Sequence, residues 1–178
     1  MGEVIESVTK KAVSFFKSLW GEETFSSNVI CAENEMSVVQ YAVLCDEKIL
    51  LTGDAGRAAL TEAADYAERI GIVLSGIDRF QVPHHGSRRN VSTEILNRWL
   101  EELLAAKPEP GQTKFTALIS SAKKDEAHPR KSVVRAMWHR GAFVAVTDGK
   151  SVRSSKNAPQ REGVGPVAPV AFPEDQEE

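Results

Sequence analysis

The residues best equipped for chemistry are one carboxylate and a few imidazoles, each placed just after a short apolar run. Asp54 closes the run Ile49-Leu50-Leu51-Thr52-Gly53-Asp54-Ala55-Gly56. A carboxylate between small residues lets the backbone come close to a ligand and can bridge two metal ions. The same residue suits a turn that caps the next helix. Gly53 to Ala58 also loosely resembles a phosphate-binding loop, but it has neither the GxGxxG spacing nor the Walker lysine pattern. His84 and His85 follow Pro83 and precede Gly86-Ser87. Neutral imidazole is the commonest metal-binding side chain. Adjacent residues of an extended segment point to opposite faces, so at most one of the pair is expected to bind metal, and the other can orient a ligand or touch substrate. A histidine pair in a loop is equally at home as solvated surface.

The remaining candidates are less specific. His128 stands before Pro129 at an expected helix start, where anions bind, so it could give a proton or hydrogen bond to a phosphoryl oxygen or simply cap the helix. Arg88 and Arg89 could hold a phosphate or lie in a solvated loop. His139, late in a helix, is accounted for by the helix dipole. Asn34 and Ser37 alone signify turn chemistry.

Alternating elements must position these groups. An amphipathic helix is expected over residues 3–20, with Ile5, Val8, Ala12 and Leu19 on one face. Strands are expected at 38–45 and 48–52, joined by a turn at Asp46-Glu47, and the second is apolar enough to be central and covered on both faces. A helix with Leu60, Ala63, Ala64, Ala67 and Ile70 on its apolar face follows Gly56. A strand at 77–83 leads to the histidine pair. The next helix has Ser92 as N-cap and Ile95, Leu96, Trp99, Leu100 and Leu103 as its stripe. A strand at 115–121, a helix beginning at Pro129 and ending at Gly141, and a core strand at 143–146 complete the pattern, with a short edge at 151–153. From Ser154 the composition turns rich in Pro, Gly and charge, which reads as a disordered tail over 154–178. Strands alternating with helices make the fold class α/β, with the candidates after strand C-termini, where open α/β sheets place ligands.

Composition narrows the function classes. The chain has 178 residues, enough for one domain with a core, and a net charge of −3, which gives no strong nucleic-acid signature. No segment approaches the roughly 20 apolar residues of a membrane helix, and no signal-peptide pattern is present. The two cysteines, Cys31 and Cys45, sit in apolar stretches and are expected to be buried and reduced, which fits a cytoplasmic location.

Four short motifs in order, Asn34-x-x-Ser37-Val38-Val39, Ile49 to Ala55, Val82-Pro83-His84-His85-Gly86-Ser87 and Ala127-His128-Pro129, resemble the C-terminal half of the metallo-β-lactamase-fold hydrolases. The branch they resemble is the ComEC-like competence-protein domain, and the resemblance spans about Asn34 to Gly149. It implies half of an αββα sandwich, one mixed sheet with flanking helices, over residues 22–153, with 1–21 as helix and linker. It implies Asp54 as the metal-bridging aspartate and one of His84 and His85, His84 by preference, as the last metal-binding histidine. His128 then becomes the catalytic, substrate-side histidine, and Ser87, Arg88, Asn34 and Ser37 the substrate-binding set. The cofactor implied is a pair of zinc or manganese ions, and the substrate a phosphodiester or related phosphate-containing ester. The family's HxHxDH cluster is absent from these residues, and the chain holds only four histidines. Catalytic zinc takes about three protein ligands, so partial or no metal occupancy is expected for the chain alone. A complementing N-terminal half or a homo-oligomer is the expected partner. Two other readings stay open: a non-catalytic binding module built on the same half-fold, and an α/β nucleotide-binding protein.

Overall fold

The computed structural model describes residues 19–109, 111–165 and 167–177. The amphipathic helix expected over 3–20 lies outside the described residues except for its last two positions, which enter a turn. The described elements run α1 (Ala32–Glu35), β1 (Gln40–Leu44), β2 (Glu47–Leu51), α2 (Arg57–Arg69), β3 (Arg79–Gln81), a 3₁₀ turn (His84–Gly86), α3 (Thr93–Leu100), β4 (Phe115–Ile119), α4 (Lys131–His139) and β5 (Ala142–Val146). No described helix is long and apolar enough to cross a membrane.

The five strands form one mixed sheet in the order β1-β2-β3-β4-β5. β1 and β2 are an antiparallel hairpin, and every later pairing is parallel. The hairpin turn holds Cys45 at φ 53 and Asp46 at φ 60. Two successive positive φ angles give the turn whose twist matches that of paired strands. Each parallel step needs a crossover, and α2, α3 and α4 supply the three. Because the strands follow in simple order and such crossovers are right-handed, all three helices fall on one face of the sheet.

The burial pattern agrees. Leu50, Phe80, Ala117, Ile119 and Val144 from the strands pack in one core with Leu60 and Ala64 of α2, Leu96 and Trp99 of α3, and Val133 and Met137 of α4. The Trp99 indole N–H donates to the Leu60 carbonyl at 3.2 Å, which satisfies the one polar atom that this large side chain buries. Ser92 caps α3 as its sequence position suggests: its Oγ accepts from the Ile95 N–H at 3.3 Å. The opposite face of the sheet carries the other parity of each strand, including Ile49, Leu51, Leu118 and Phe143. No helix covers it. Leu51 is 43% exposed where Leu50 is 0%. Among the described residues β2 is therefore covered by helices on one face, not two. A shallow apolar hollow of about 380 Å³ opens on this face, lined by Ile49, Leu51 and Leu118.

Three further expectations change. Cys31 and Cys45 are both exposed: one sits at the start of α1 and the other at the tip of the hairpin, so the apolar neighbours in sequence do not carry the thiols inward. No strand forms at 151–153. α4 begins at Lys131, after Pro129 and an extended Arg130.

His139 does more than meet a helix dipole. It is fully buried, its Nδ1 lies 3.1 Å from Glu23 Oε1, and its Nε2 accepts the Gly21 N–H at 3.3 Å. The arrangement fixes the neutral tautomer with hydrogen on Nδ1. Buried Arg140 donates to both Glu23 oxygens, at 2.6 and 3.2 Å. Thr93 Oγ1 donates to the same carboxylate at 2.6 Å. Burial pushes the Glu23 carboxyl up, but the hydrogen bonds from His139 and Arg140 and the Arg140 charge outweigh it, so its pKa is lowered. This network pins the segment before α1 to α3 and α4.

The described residues between 154 and 177 hold no helix or strand. Those from 154 to 165 are exposed, whereas 167–177 lie along β5 and α4. The Val170 N–H donates to the Val144 carbonyl at 2.8 Å, and the Phe172 ring packs 5.4 Å from Trp20 and 5.9 Å from His139. Composition pointed to a disordered tail because it averages over a stretch in which two apolar anchors do the docking.

Candidate functional site

The C-terminal ends of β2, β3 and β4 lie side by side, and the candidate residues gather on that rim. β2 leads through Thr52, whose side-chain hydroxyl donates to the Gln81 carbonyl at 2.7 Å, into Gly53 and Asp54. Gly53 has φ 54, a conformation that costs glycine little. The Asp54 N–H donates to Ser37 Oγ at 3.3 Å, and its carbonyl accepts from buried Asn90 at 2.9 Å. The His84 N–H donates to the Gly53 carbonyl at 3.1 Å, which ties the histidine turn to the aspartate turn.

His84 and His85 do not alternate as they would in an extended segment. Both have positive φ, 44 and 56, and Gly86 follows at 80. Three successive left-handed residues turn the chain sharply, so both rings stay on the same rim. Their centroids are 5.6 Å apart, and that of His128 lies 6.2 Å from His84 and 6.4 Å from His85. Such backbone in non-glycine residues is costly and concentrates at functional sites. Gly86 is held by crowding as well: a Cβ there would stand 2.8 Å from Pro129 Cβ. That close approach brings the His128-Pro129 turn against the histidine pair.

Each imidazole has an orienting partner. The Asn34 side-chain amide lies 3.0 Å from His84 Nδ1, and Asp54 Oδ1 lies 3.7 Å from the same nitrogen. His85 Nδ1 is 2.7 Å from the Ser120 carbonyl, which can only accept, so Nδ1 carries the hydrogen and Nε2 the lone pair. His128 Nδ1 is 3.1 Å from Asp125 Oδ2. That carboxylate likewise holds the hydrogen on Nδ1 and leaves Nε2 open. Desolvation pushes the Asp125 carboxyl up, but the Ala127 N–H, the His128 ring and its charge outweigh this and lower its pKa.

The residues expected to bind substrate divide. Arg88 and Ser87 line a cavity of about 570 Å³ with Asn34, His84, His128, Arg89 and Arg130. Three arginines lining one cavity favour an anionic occupant. Ser87, however, is 7% exposed, and its hydroxyl accepts the Arg89 N–H at 3.3 Å. Asn34 and Ser37 hold His84 and Asp54 in place. Sequence reasoning missed Asp125, Asn90 and Glu35. Glu35 reaches from α1 to accept the Ala59 N–H at 2.8 Å in the first turn of α2, where Gly56 supplies no side-chain cap. Asp125 alone had a sequence signal: it stands three residues before His128 in a turn-forming stretch.

The donor set meets the needs of a metal in part. Two imidazoles have Nε2 free and Nδ1 anchored, as ligating histidines do. Among the described residues, however, no group of three His, Cys, Asp or Glu side chains stands close enough to hold an ion. The described residues do not complete a metal site by themselves. Comparison with family models, curated proteins and solved structures finds no match.

Proposed function

We propose that this chain is one half of a metal-dependent hydrolase of the metallo-β-lactamase type, acting on a phosphodiester or related phosphate ester. The observation that carries the reading is the convergence of Asp54, His84, His85 and His128 on one rim of the sheet, from three separate motifs. The uncovered sheet face supports it, because an αββα sandwich needs a second sheet there and the missing ligands would arrive with it. The partner is a complementing N-terminal half, or a second copy acting in its place, and the setting is cytoplasmic. Zinc or manganese, bound by the completed site, would supply an activated water. The chain's own residues then have defined tasks. Arg88 and Arg130 attract the phosphoryl group, His128 exchanges a proton at Nε2 with Asp125 holding its ring, and Asn34 and Ser37 keep His84 and Asp54 in place.

The test is metal retention after dialysis against zinc or manganese, for the native chain and for Asp54→Ala and His84→Ala, together with hydrolysis of a chromogenic phosphodiester. The expected result is weak retention that both substitutions abolish, with turnover only when a half bearing the HxHxDH cluster is added. Full turnover by the chain alone would refute its incompleteness. Retention unchanged in both variants would refute the metal reading. A second reading, a binding module without metal, is favoured by the lack of any three-ligand group among the described residues. It predicts binding of inorganic phosphate that chelator leaves unchanged and that Arg88→Ala weakens.

A further inference from the structure

The last eight described residues engage α4 along its whole length. The Trp138 indole N–H donates to the Val170 carbonyl at 3.0 Å. The Arg135 guanidinium lies 4.5 Å and the Lys107 ammonium 4.7 Å from the centroid of the Phe172 ring. Arg135 also donates to the Pro173 carbonyl at 2.7 Å. Gln176 is buried, accepts the Thr24 N–H at 3.0 Å and donates to the Glu22 carbonyl at 2.9 Å. Asp175 pairs with the Lys131 ammonium at 2.7 Å. At the end, the Glu177 carboxylate accepts the N–H groups of both Lys131 and Ser132, at 3.0 Å for the latter.

These last contacts fall on the first turn of α4. Arg130, the N-cap position, has no side-chain cap of its own. Glu177 therefore does for α4 what an N-cap side chain does elsewhere, from 45 residues away in the chain for Ser132. Burial pushes the Glu177 carboxyl up, but the Ser132 and Lys131 N–H groups outweigh it and hold it ionised. The first turn of α4 is continuous with His128-Pro129-Arg130. The Arg130 N–H donates to the Gly86 carbonyl at 3.1 Å, and Ser121 Oγ donates to the His128 carbonyl at 2.9 Å. The tail thus holds one end of a continuous segment whose other end is the candidate site, and exposed residues 154–165 connect it to the rest of the chain.

We infer that residues 170–177 are a latch: Phe172 pins the segment to α4, Glu177 caps the helix, and together they set the position of the His128 turn. Release of the latch loosens that turn and changes the mouth of the arginine-lined cavity. The inference does not depend on what the site binds.

The test uses the full chain as Glu177→Gln, Phe172→Ala and the double variant. Readouts are amide hydrogen exchange, the ring resonances of His128, and cleavage by a protease within 154–165. Losing a helix cap should speed exchange at Lys131 and Ser132 by about tenfold in Glu177→Gln. The double variant should also become sensitive to protease and show shifted His128 resonances, while amides of β4 keep their protection. Released tail with unmoved His128 resonances would overturn the inference, since the segment would then be a cover and not a latch. Unchanged exchange and cleavage in the double variant would overturn it equally, by showing that these two residues do not hold the segment.

Discussion

Replacing Glu23 by alanine is the sharpest test of how the framework behind the site is held. The substitution removes four hydrogen bonds: those from His139 Nδ1, both terminal nitrogens of Arg140, and Thr93 Oγ1. Arg140 would be left fully buried with its charge unmatched, keeping only the Ala136 and Thr93 carbonyls and the Asn97 side chain. Deleting one partner of a buried ion pair typically costs about 3–5 kcal/mol. For a domain of this size, at about 2–4 °C per kcal/mol, Tm should fall by on the order of 10 °C. The assay is urea denaturation at neutral pH alongside a thermal scan. Acid supplies the second arm. The folded-state pKa of Glu23 is lowered, so its contribution is fully present above the ordinary glutamate value and is lost as pH falls through the folded value. The stability gap between native chain and variant should therefore be widest near neutrality and shrink below about pH 4. A Glu23→Leu, Arg140→Met double variant should be more stable than Glu23→Ala alone, because no buried charge is stranded. A loss under about 1 kcal/mol at neutral pH, or a gap that widens in acid, would refute the reasoning.

Neighbouring leucines on β2 should behave oppositely: Leu50→Ala, on the buried face, should cost about 2–5 kcal/mol, and Leu51→Ala, on the open face, under about 1 kcal/mol by denaturation. Gly86→Ala meets both a φ of 80 and Pro129, so it should lower stability by about 1–3 kcal/mol and shift the His85 and His128 resonances. In His128→Ala, the Asp125 carboxyl should titrate higher than in the native chain by carboxyl-carbon NMR, because the ring that holds it down is gone.

Much of the framework is legible along the chain because it is encoded locally. Alternating and three-four apolar spacings give β1 to β5 and α2 to α4 to within a few residues, and Ser92 announces its own cap. What is not legible depends on partners far apart. Glu23 meets Arg140 across 117 positions, and Glu177 meets Ser132 across 45. No pattern in either segment marks the other. The histidine pair fails for a different reason: the alternation rule assumes extended backbone, and three left-handed residues break it. Cys31 and Cys45 fail because burial follows the face of an element, whereas both lie at element ends. The candidate residues themselves were readable as types after strand ends. Of their orienting partners, Asp125 left a weak signal in its spacing from His128, and Asn90 became visible only in three dimensions.

The hairpin that begins the sheet has one further consequence. β1 pairs only with β2 among the described residues, so its outer row of N–H and C=O groups faces outward, while Val170 already occupies a bonding position on the outer edge of β5. A sheet with two free edges can grow into a fibre, but one with a single free edge stops after one addition. Two copies meeting through β1 would run antiparallel about a two-fold axis and make a continuous ten-stranded sheet with β5 at each outer edge, where Val170 holds one bonding position. The tail that lies against β5 therefore obstructs growth of such a sheet beyond its first pair.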